Sequence, residues 1–112
     1  MIINTSNKKK LAKKAVILRS VASKSRGLMF RKKIVDEGYV FIFHELGLAS
    51  FHMFFVFFPI DMLFLGENKE VLNIKRNVKP FTPRIKSEAR YVIELPRGST
   101  KDVSKGDIIS FK

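Results

Sequence analysis

The chain has 112 residues, 22 Lys and Arg against 10 Asp and Glu, and no cysteine. This length supports one hydrophobic core, so we expect a single domain over residues 1–112. The missing cysteine excludes disulfides, thiol nucleophiles, thiolate zinc sites and iron–sulfur clusters. Because the first five residues also lack the features of a secretory signal, we expect a cytoplasmic protein.

The positive charge is concentrated at the start of the chain. Residues 1–33 carry eight Lys and three Arg with no acid, which accounts for +11 of the net charge of +12. Residues 75–90 carry six more basic groups against Glu88. Such asymmetry favours contact with a polyanion, either nucleic acid or an anionic membrane, although a solubilising lysine surface explains it equally simply. The candidate nucleic-acid contacts are Lys8, Lys9, Lys10, Lys13, Lys14, Arg31, Lys32, Lys33, Lys75 and Arg76.

The first elements are short. Residues 2–3 predict a strand, and the basic residues that follow predict a solvated arm over about residues 1–14. Residues 15–18 fit a strand or the start of a helix. Ser20 is a suitable cap for a short helix that runs to Arg26 and ends at Gly27.

The middle of the chain is the most apolar part and must form the core. Residues 39–43 and 51–58 are apolar on both alternating faces, except at His52, which predicts two strands. Each is either covered on both faces or leaves one face for a partner. Pro59 should break or bend the second strand before residues 61–65 resume it, because proline cannot donate to a β ladder. The interruptions from His44 to Asp61 make a transmembrane span a poor fit, since a span needs about 20 apolar residues with few charges.

The last third returns to short strands. Turn chemistry at 66–69 predicts a hairpin between residues 61–65 and 71–74. Residues 75–90, with two prolines, predict a basic loop. Residues 90–96 and 108–111 predict strands, and the spacing of Ser99 and Asp102 fits the cap of a short helix.

These elements are too closely spaced for regular βαβ crossovers. We therefore predict an α+β fold that is β-rich and mostly antiparallel, with a small curled or barrel-like sheet and one or two short helices.

Four separated motifs resemble those of the uncharacterised prokaryotic domain-of-unknown-function family 192. They are residues 25–31, residues 52–53 with 59–64, residues 91–98, and residues 106–107. The resemblance covers about residues 12–111 and implies a compact β-rich fold with no established activity. Many bacterial relatives have Trp-Met-Lys-Asn-Thr where this chain has residues 52–56, so the polar trio of those relatives is absent here.

Asp61 is the first candidate for a site, because a carboxylate in so apolar a segment must find a partner or raise its pKa. The simplest interpretation is a turn cap, or an ion pair with Arg26 or Arg31. The alternative is a pocket carboxylate near Arg26 and His52. Glu94 alternates with apolar residues, which predicts an outward strand residue or a partner for a basic group.

We therefore expect an uncharacterised small domain that binds a small ligand or a partner without catalysis, near Asp61 and Arg26. The ligand candidates are Arg26, His52, Asp61 and Glu94. Salt-sensitive nucleic-acid binding is the alternative, and an enzyme using Asp61 and His52 is the second alternative. No catalytic motif, metal-ligand spacing or cofactor motif is present in the sequence. Neither the protein partner nor the oligomeric state follows from these residues.

Overall fold

The computed structural model describes residues 1–19, 34–53 and 56–111, which form eight strands in two sheets. A three-stranded sheet has the order β2-β1-β8, and a five-stranded sheet has the order β3-β4-β7-β5-β6. All pairings are antiparallel except that of β3 with β4. The strands are β1 (Ile2–Asn4), β2 (Lys9–Ala12), β3 (Lys14–Leu18), β4 (Glu37–Phe51), β5 (Ile60–Leu65), β6 (Val71–Val78), β7 (Ile85–Pro96) and β8 (Ile109–Phe111).

The described residues form strands and turns but no helix, so the α+β prediction is wrong for them. The prediction of a β-rich chain is confirmed. The prediction of one small curled or barrel-like sheet is also wrong, because the described strands form two sheets that do not close into a barrel. The helix predicted from Ser99 is a series of turns, because the N–H groups of Gly98 and Thr100 donate to the distant Asp61 carboxylate. The helix predicted over residues 20–26 lies outside the described residues.

The described residues form two apolar cores, and the first lies between the two sheets. Leu63, Leu65 and Ile93 face the three-stranded sheet, where they pack with Ile2 and Ile109. The opposite face of the five-stranded sheet holds a second core. Its buried members include Tyr39, Phe41, Met53, Val56, Ile60, Met62, Phe64 and Val92. Because β5 is covered on both faces, all six of its residues are buried, and every one except Asp61 is apolar.

The strand predicted over residues 51–58 is wrong for the described part of that range, because β4 begins at Glu37 and ends at Phe51 and residues 52–53 and 56–58 are not in a strand. Residues 54–55 lie outside the described residues. The backbone beyond β4 pairs instead with the turn between β6 and β7. The Met53 N–H donates to the Thr82 carbonyl at 2.7 Å, and the Phe81 N–H donates to the Met53 carbonyl at 2.8 Å. The Met53 and Val56 side chains are buried in the second core.

The loop predicted over residues 75–90 is also wrong. β6 continues to Val78 and β7 begins at Ile85, so the two prolines occupy only the turn between them. β6 is an edge strand, whose exposed side tolerates basic residues. The predicted hairpin of β5 and β6 is confirmed, as are the strands at both chain ends.

Within the described ranges, no helix has the length and apolarity that crossing a membrane requires.

Candidate ligand-binding cleft and buried carboxylates

The Asp61 carboxylate is buried, with 1% of the residue exposed. Its Oδ1 accepts the Asn77 N–H at 3.0 Å. Its Oδ2 accepts the N–H groups of Gly98 and Thr100 at 3.0 and 3.2 Å, and the Thr100 hydroxyl at 2.7 Å. Asp61 therefore caps the turn after β7, as the simpler sequence interpretation allowed, and its partners among the described residues are backbone amides and one hydroxyl.

A bulge in β6 brings one of these donors into place. The pairing register of β5 and β6 shifts between Ile60 and Met62, and Asn77 has a positive φ of 52°. The adjacent Arg76 donates through its guanidinium to the carbonyls of Thr100 and Val103, at 2.9 and 2.8 Å. The turn after β7 is thus held at its amides by Asp61 and at its carbonyls by Arg76.

A cleft of about 310 Å³ lies where β5 begins and β7 ends, lined by Ile34, Phe58, Pro59, Pro96 and Arg97. Ile60 pairs with Pro96 across the two strands, which brings their flanking residues to the same end of the sheet. Four of the five lining residues that the structure describes are apolar, and Arg97 supplies a cation. Because Arg97 directly precedes Gly98, it belongs to the turn that Asp61 caps.

Glu94 is buried, with 5% of the residue exposed, so the prediction that it faces outward is wrong. It pairs with Tyr39 on β4 and with Met62 on β5. Burial away from water raises the pKa of its carboxyl from 4.5 to about 8. At neutral pH the side chain is therefore mostly protonated, and a neutral carboxylic acid can donate a hydrogen bond.

The ligand candidates do not form a single cluster in the described structure. Asp61 pairs with Leu95 and Glu94 with Met62, so the two acids lie on opposite faces of the sheet. His52 is exposed and follows the end of β4, where Phe51 pairs with Ile85 at the other end of β7. Arg26 lies outside the described residues.

The basic candidates are similarly dispersed. Lys8, Lys9, Lys10, Lys13 and Lys14 are exposed on the N-terminal hairpin and the start of β3. Lys9 also contacts Asp102 at 2.9 Å.

Two other basic candidates lie on β6. Lys75 is half-buried, whereas the Arg76 guanidinium is engaged by backbone carbonyls. Arg31, Lys32 and Lys33 lie outside the described residues.

Sequence reasoning missed Arg97 and Thr100. Arg97 stands between Pro96 and Gly98, and this Pro-Xaa-Gly pattern after a strand marks a turn that exposes its middle residue. Thr100 gave no comparable signal, because its bond to Asp61 spans 39 positions of the chain. In the part of the chain that is described, no three His, Cys, Asp or Glu residues stand together as a metal site would require.

The model of the domain-of-unknown-function family 192, described as uncharacterised, matches residues 2–111. A UPF0127 protein of Thermococcus kodakarensis is 34% identical, over 99% of this chain and 73% of that protein. A solved protein of unknown function from Novosphingobium aromaticivorans has a TM-score of 0.82 and 26% identity, over 87% of this chain and 74% of the other. A solved putative transcription regulator from Sinorhizobium meliloti has a TM-score of 0.81 and 29% identity, over 86% and 79%.

Proposed function

Because the chain belongs to the uncharacterised domain-of-unknown-function family 192, we propose a function from its own geometry: it binds a small amphipathic anion without catalysis. This membership confirms the resemblance of the sequence motifs. The proposed ligand combines an apolar body with a carboxylate or similar anionic group.

The cleft beside Arg97 is the observation that carries this proposal. Its volume of about 310 Å³ is at the small end of ligand pockets, which span roughly 300–1,000 Å³. Phe58, Pro59 and Pro96 offer apolar walls, and the guanidinium offers directional donors for an anion. A single aromatic ring or a short acyl chain bearing a carboxylate suits this combination.

Asp61 has a positioning role in this proposal. It accepts the N–H of Gly98, the residue that follows Arg97, and two donors of Thr100. These bonds order the turn before a ligand arrives, which lowers the entropy cost of placing the guanidinium. The proposed site therefore includes Pro59 and lies next to Ile60 and Asp61 in the chain. Among the described lining residues, Arg97 provides the positive charge.

The test is a titration of isotopically labelled protein with benzoate, phenylacetate and octanoate, followed by amide chemical shifts. Benzamide serves as the neutral counterpart of benzoate. We expect the acids to shift amides near Pro59 and Arg97, and Arg97→Ala to weaken binding by about tenfold or more, because charged hydrogen bonds contribute about 1.5–3 kcal/mol. Arg84→Ala, with the same change of charge, is the matched control. Equal affinities of wild type and Arg97→Ala would refute the proposal.

A second candidate function is nucleic-acid binding through the exposed lysines of the N-terminal hairpin. Lys8, Lys10 and Lys13 are exposed there, and the similar Sinorhizobium meliloti protein is described as a putative transcription regulator. Phosphate contacts of this kind predict binding to duplex DNA that weakens by orders of magnitude between about 50 and 200 mM salt. Anisotropy of a labelled duplex, compared between wild type and a triple Lys→Gln variant, tests this, and no binding at low salt would eliminate it.

The enzyme hypothesis gains no support from the placement of Asp61 and His52 at opposite ends of β7. The cytoplasmic location stays a prediction.

A further inference from the structure

Two phenylalanines form an exposed pair at the turn between β6 and β7. The ring centroids of Phe57 and Phe81 are 5.5 Å apart, with the ring planes at 67°. Phe57 is 56% exposed and Phe81 is 49% exposed. Each ring therefore keeps much of its surface open to solvent, unlike Phe41 and Phe64 in the core.

The backbone holds Phe81 outward. Its φ of 62° lies in the left-handed region, which is rare for an aromatic residue. This conformation is maintained by two hydrogen bonds between the turn and Met53, at 2.7 and 2.8 Å. Because Met53 is fully buried, the turn is anchored to the second core and the ring pair is displayed from a rigid base.

The charged residues in the segment that carries Phe81 have one sign. Lys79, Arg84 and Lys86 are exposed within the turn and at the start of β7. No Asp or Glu occurs between Val71 and Ser87. Phe81 therefore stands in a purely basic stretch of chain, which complements a polyanion.

We propose that this surface binds single-stranded nucleic acid, with bases stacked on Phe57 and Phe81 and phosphates bound by Lys79, Arg84 and Lys86. Binding of single strands without sequence preference combines aromatic platforms with cations along the backbone. The inference goes beyond both the cleft and the second candidate function, because it names a different surface and a different type of strand.

The alternative occupant is an anionic membrane, which also attracts cations and aromatic rings. The turn offers the bilayer little aliphatic surface, because residues 79–84 read Lys-Pro-Phe-Thr-Pro-Arg. A stacked base needs only the open face of a ring. The composition of the turn thus favours a nucleic-acid strand over insertion into lipid.

The experiment measures the anisotropy of a short fluorescein-labelled oligothymidylate and of a duplex of the same length at low salt. Phe81→Asn removes the ring while keeping a residue that tolerates a positive φ, and Phe81→Tyr keeps the ring. Leu48→Asn, at a residue that is 72% exposed, is the control for loss of an exposed apolar side chain elsewhere. Thermal unfolding of each variant verifies its fold.

We expect wild type, Phe81→Tyr and Leu48→Asn to bind the single strand alike, and Phe81→Asn to bind about 5- to 100-fold more weakly. Duplex affinity should change little in Phe81→Asn. Unchanged single-strand affinity in Phe81→Asn overturns the inference, even where duplex binding through the N-terminal lysines persists. Ring-dependent binding to phosphatidylserine vesicles without oligonucleotide binding overturns it in favour of a membrane. A ring-dependent dimer without oligonucleotide binding overturns it in favour of self-association.

Discussion

Asp61 shows how a buried charge is accommodated at the scale of one residue. Its place in an apolar segment correctly indicated that the carboxylate needs partners. The partners that the structure describes are neutral donors on β6 and on the turn after β7. A carboxylate that accepts several N–H groups stabilises loop backbone that would otherwise lack acceptors in the interior.

We predict that Asp61→Asn destabilises the protein by about 3 kcal/mol, because the amide NH₂ would face backbone N–H donors and leave buried groups unpaired. Urea denaturation measures this change. Thr100→Val removes only the hydroxyl donor and should cost about 1 kcal/mol. A free energy of unfolding for Asp61→Asn within about 0.5 kcal/mol of wild type would contradict this role.

Glu94 predicts a pH dependence of stability. Its folded pKa of about 8 exceeds the ordinary value of 4.5, so between these values the folded protein keeps a proton that the unfolded chain releases. This contribution to stability is complete below pH 4.5 and is lost as pH rises towards 8, by at most about 1.4 kcal/mol per pH unit. Glu94→Gln should remove this part of the slope when unfolding free energies are compared across that range.

The exposed Glu88→Gln is the matched control for Glu94→Gln and should keep the slope of wild type. A slope in Glu94→Gln equal to that of wild type would show that the Glu94 carboxyl titrates normally.

At the scale of elements, strand types were easier to predict than strand lengths. The apolar residues 39–43 indicated β4, but its continuation through the exposed stretch from His44 to Leu48 did not follow from hydropathy. The register of β4 and β7 shifts between Ile42 and Gly47, and the Arg90 guanidinium donates to the Phe43 carbonyl inside this irregularity. Such a bulge keeps a strand paired while its side chains change faces.

Gly38 makes the contact between β4, β1 and β7 possible. A Cβ at this position would overlap Ile2 Cδ1 and stand 2.9 Å from Leu95 Cδ2. We predict that Gly38→Ala costs about 1–3 kcal/mol through overpacking, measured by chemical denaturation. Gly47→Ala is the control, because its Cβ would meet nothing within 4 Å.

A second variant makes the Gly38 prediction specific. Ile2→Val in the Gly38→Ala background should recover part of the loss, since it removes the overlapping methyl. Additive effects of the two substitutions would contradict the proposed overlap.

At the scale of the whole molecule, like charges are confined to a small volume. The chain carries a net charge of +12 and has a radius of gyration of 12.5 Å. In a molecule this compact, the mutual repulsion of lysines opposes folding. Two apolar cores, one on each face of the five-stranded sheet, offset that repulsion.

We therefore expect added NaCl to raise the stability, because the Debye length falls from about 30 Å at 0.01 M to about 8 Å at 0.15 M. A gain of about 1 kcal/mol corresponds to roughly 4 °C in Tm for a domain of this size. Thermal unfolding followed by circular dichroism at the two ionic strengths measures it. A Tm that falls with added NaCl would indicate that attractive ion pairs outweigh the repulsion.

The sequence by itself determined the β-rich character, the apolar middle, the hairpin of β5 and β6, and the family, because alternation, turn residues and ordered motifs are local properties of the chain. Only the tertiary structure decided that Asp61 caps a turn, that Glu94 points inward, and that Arg97 stands beside a cleft. Each of these depends on strand register between segments far apart in sequence, and a shift of one residue would place every side chain on the other face.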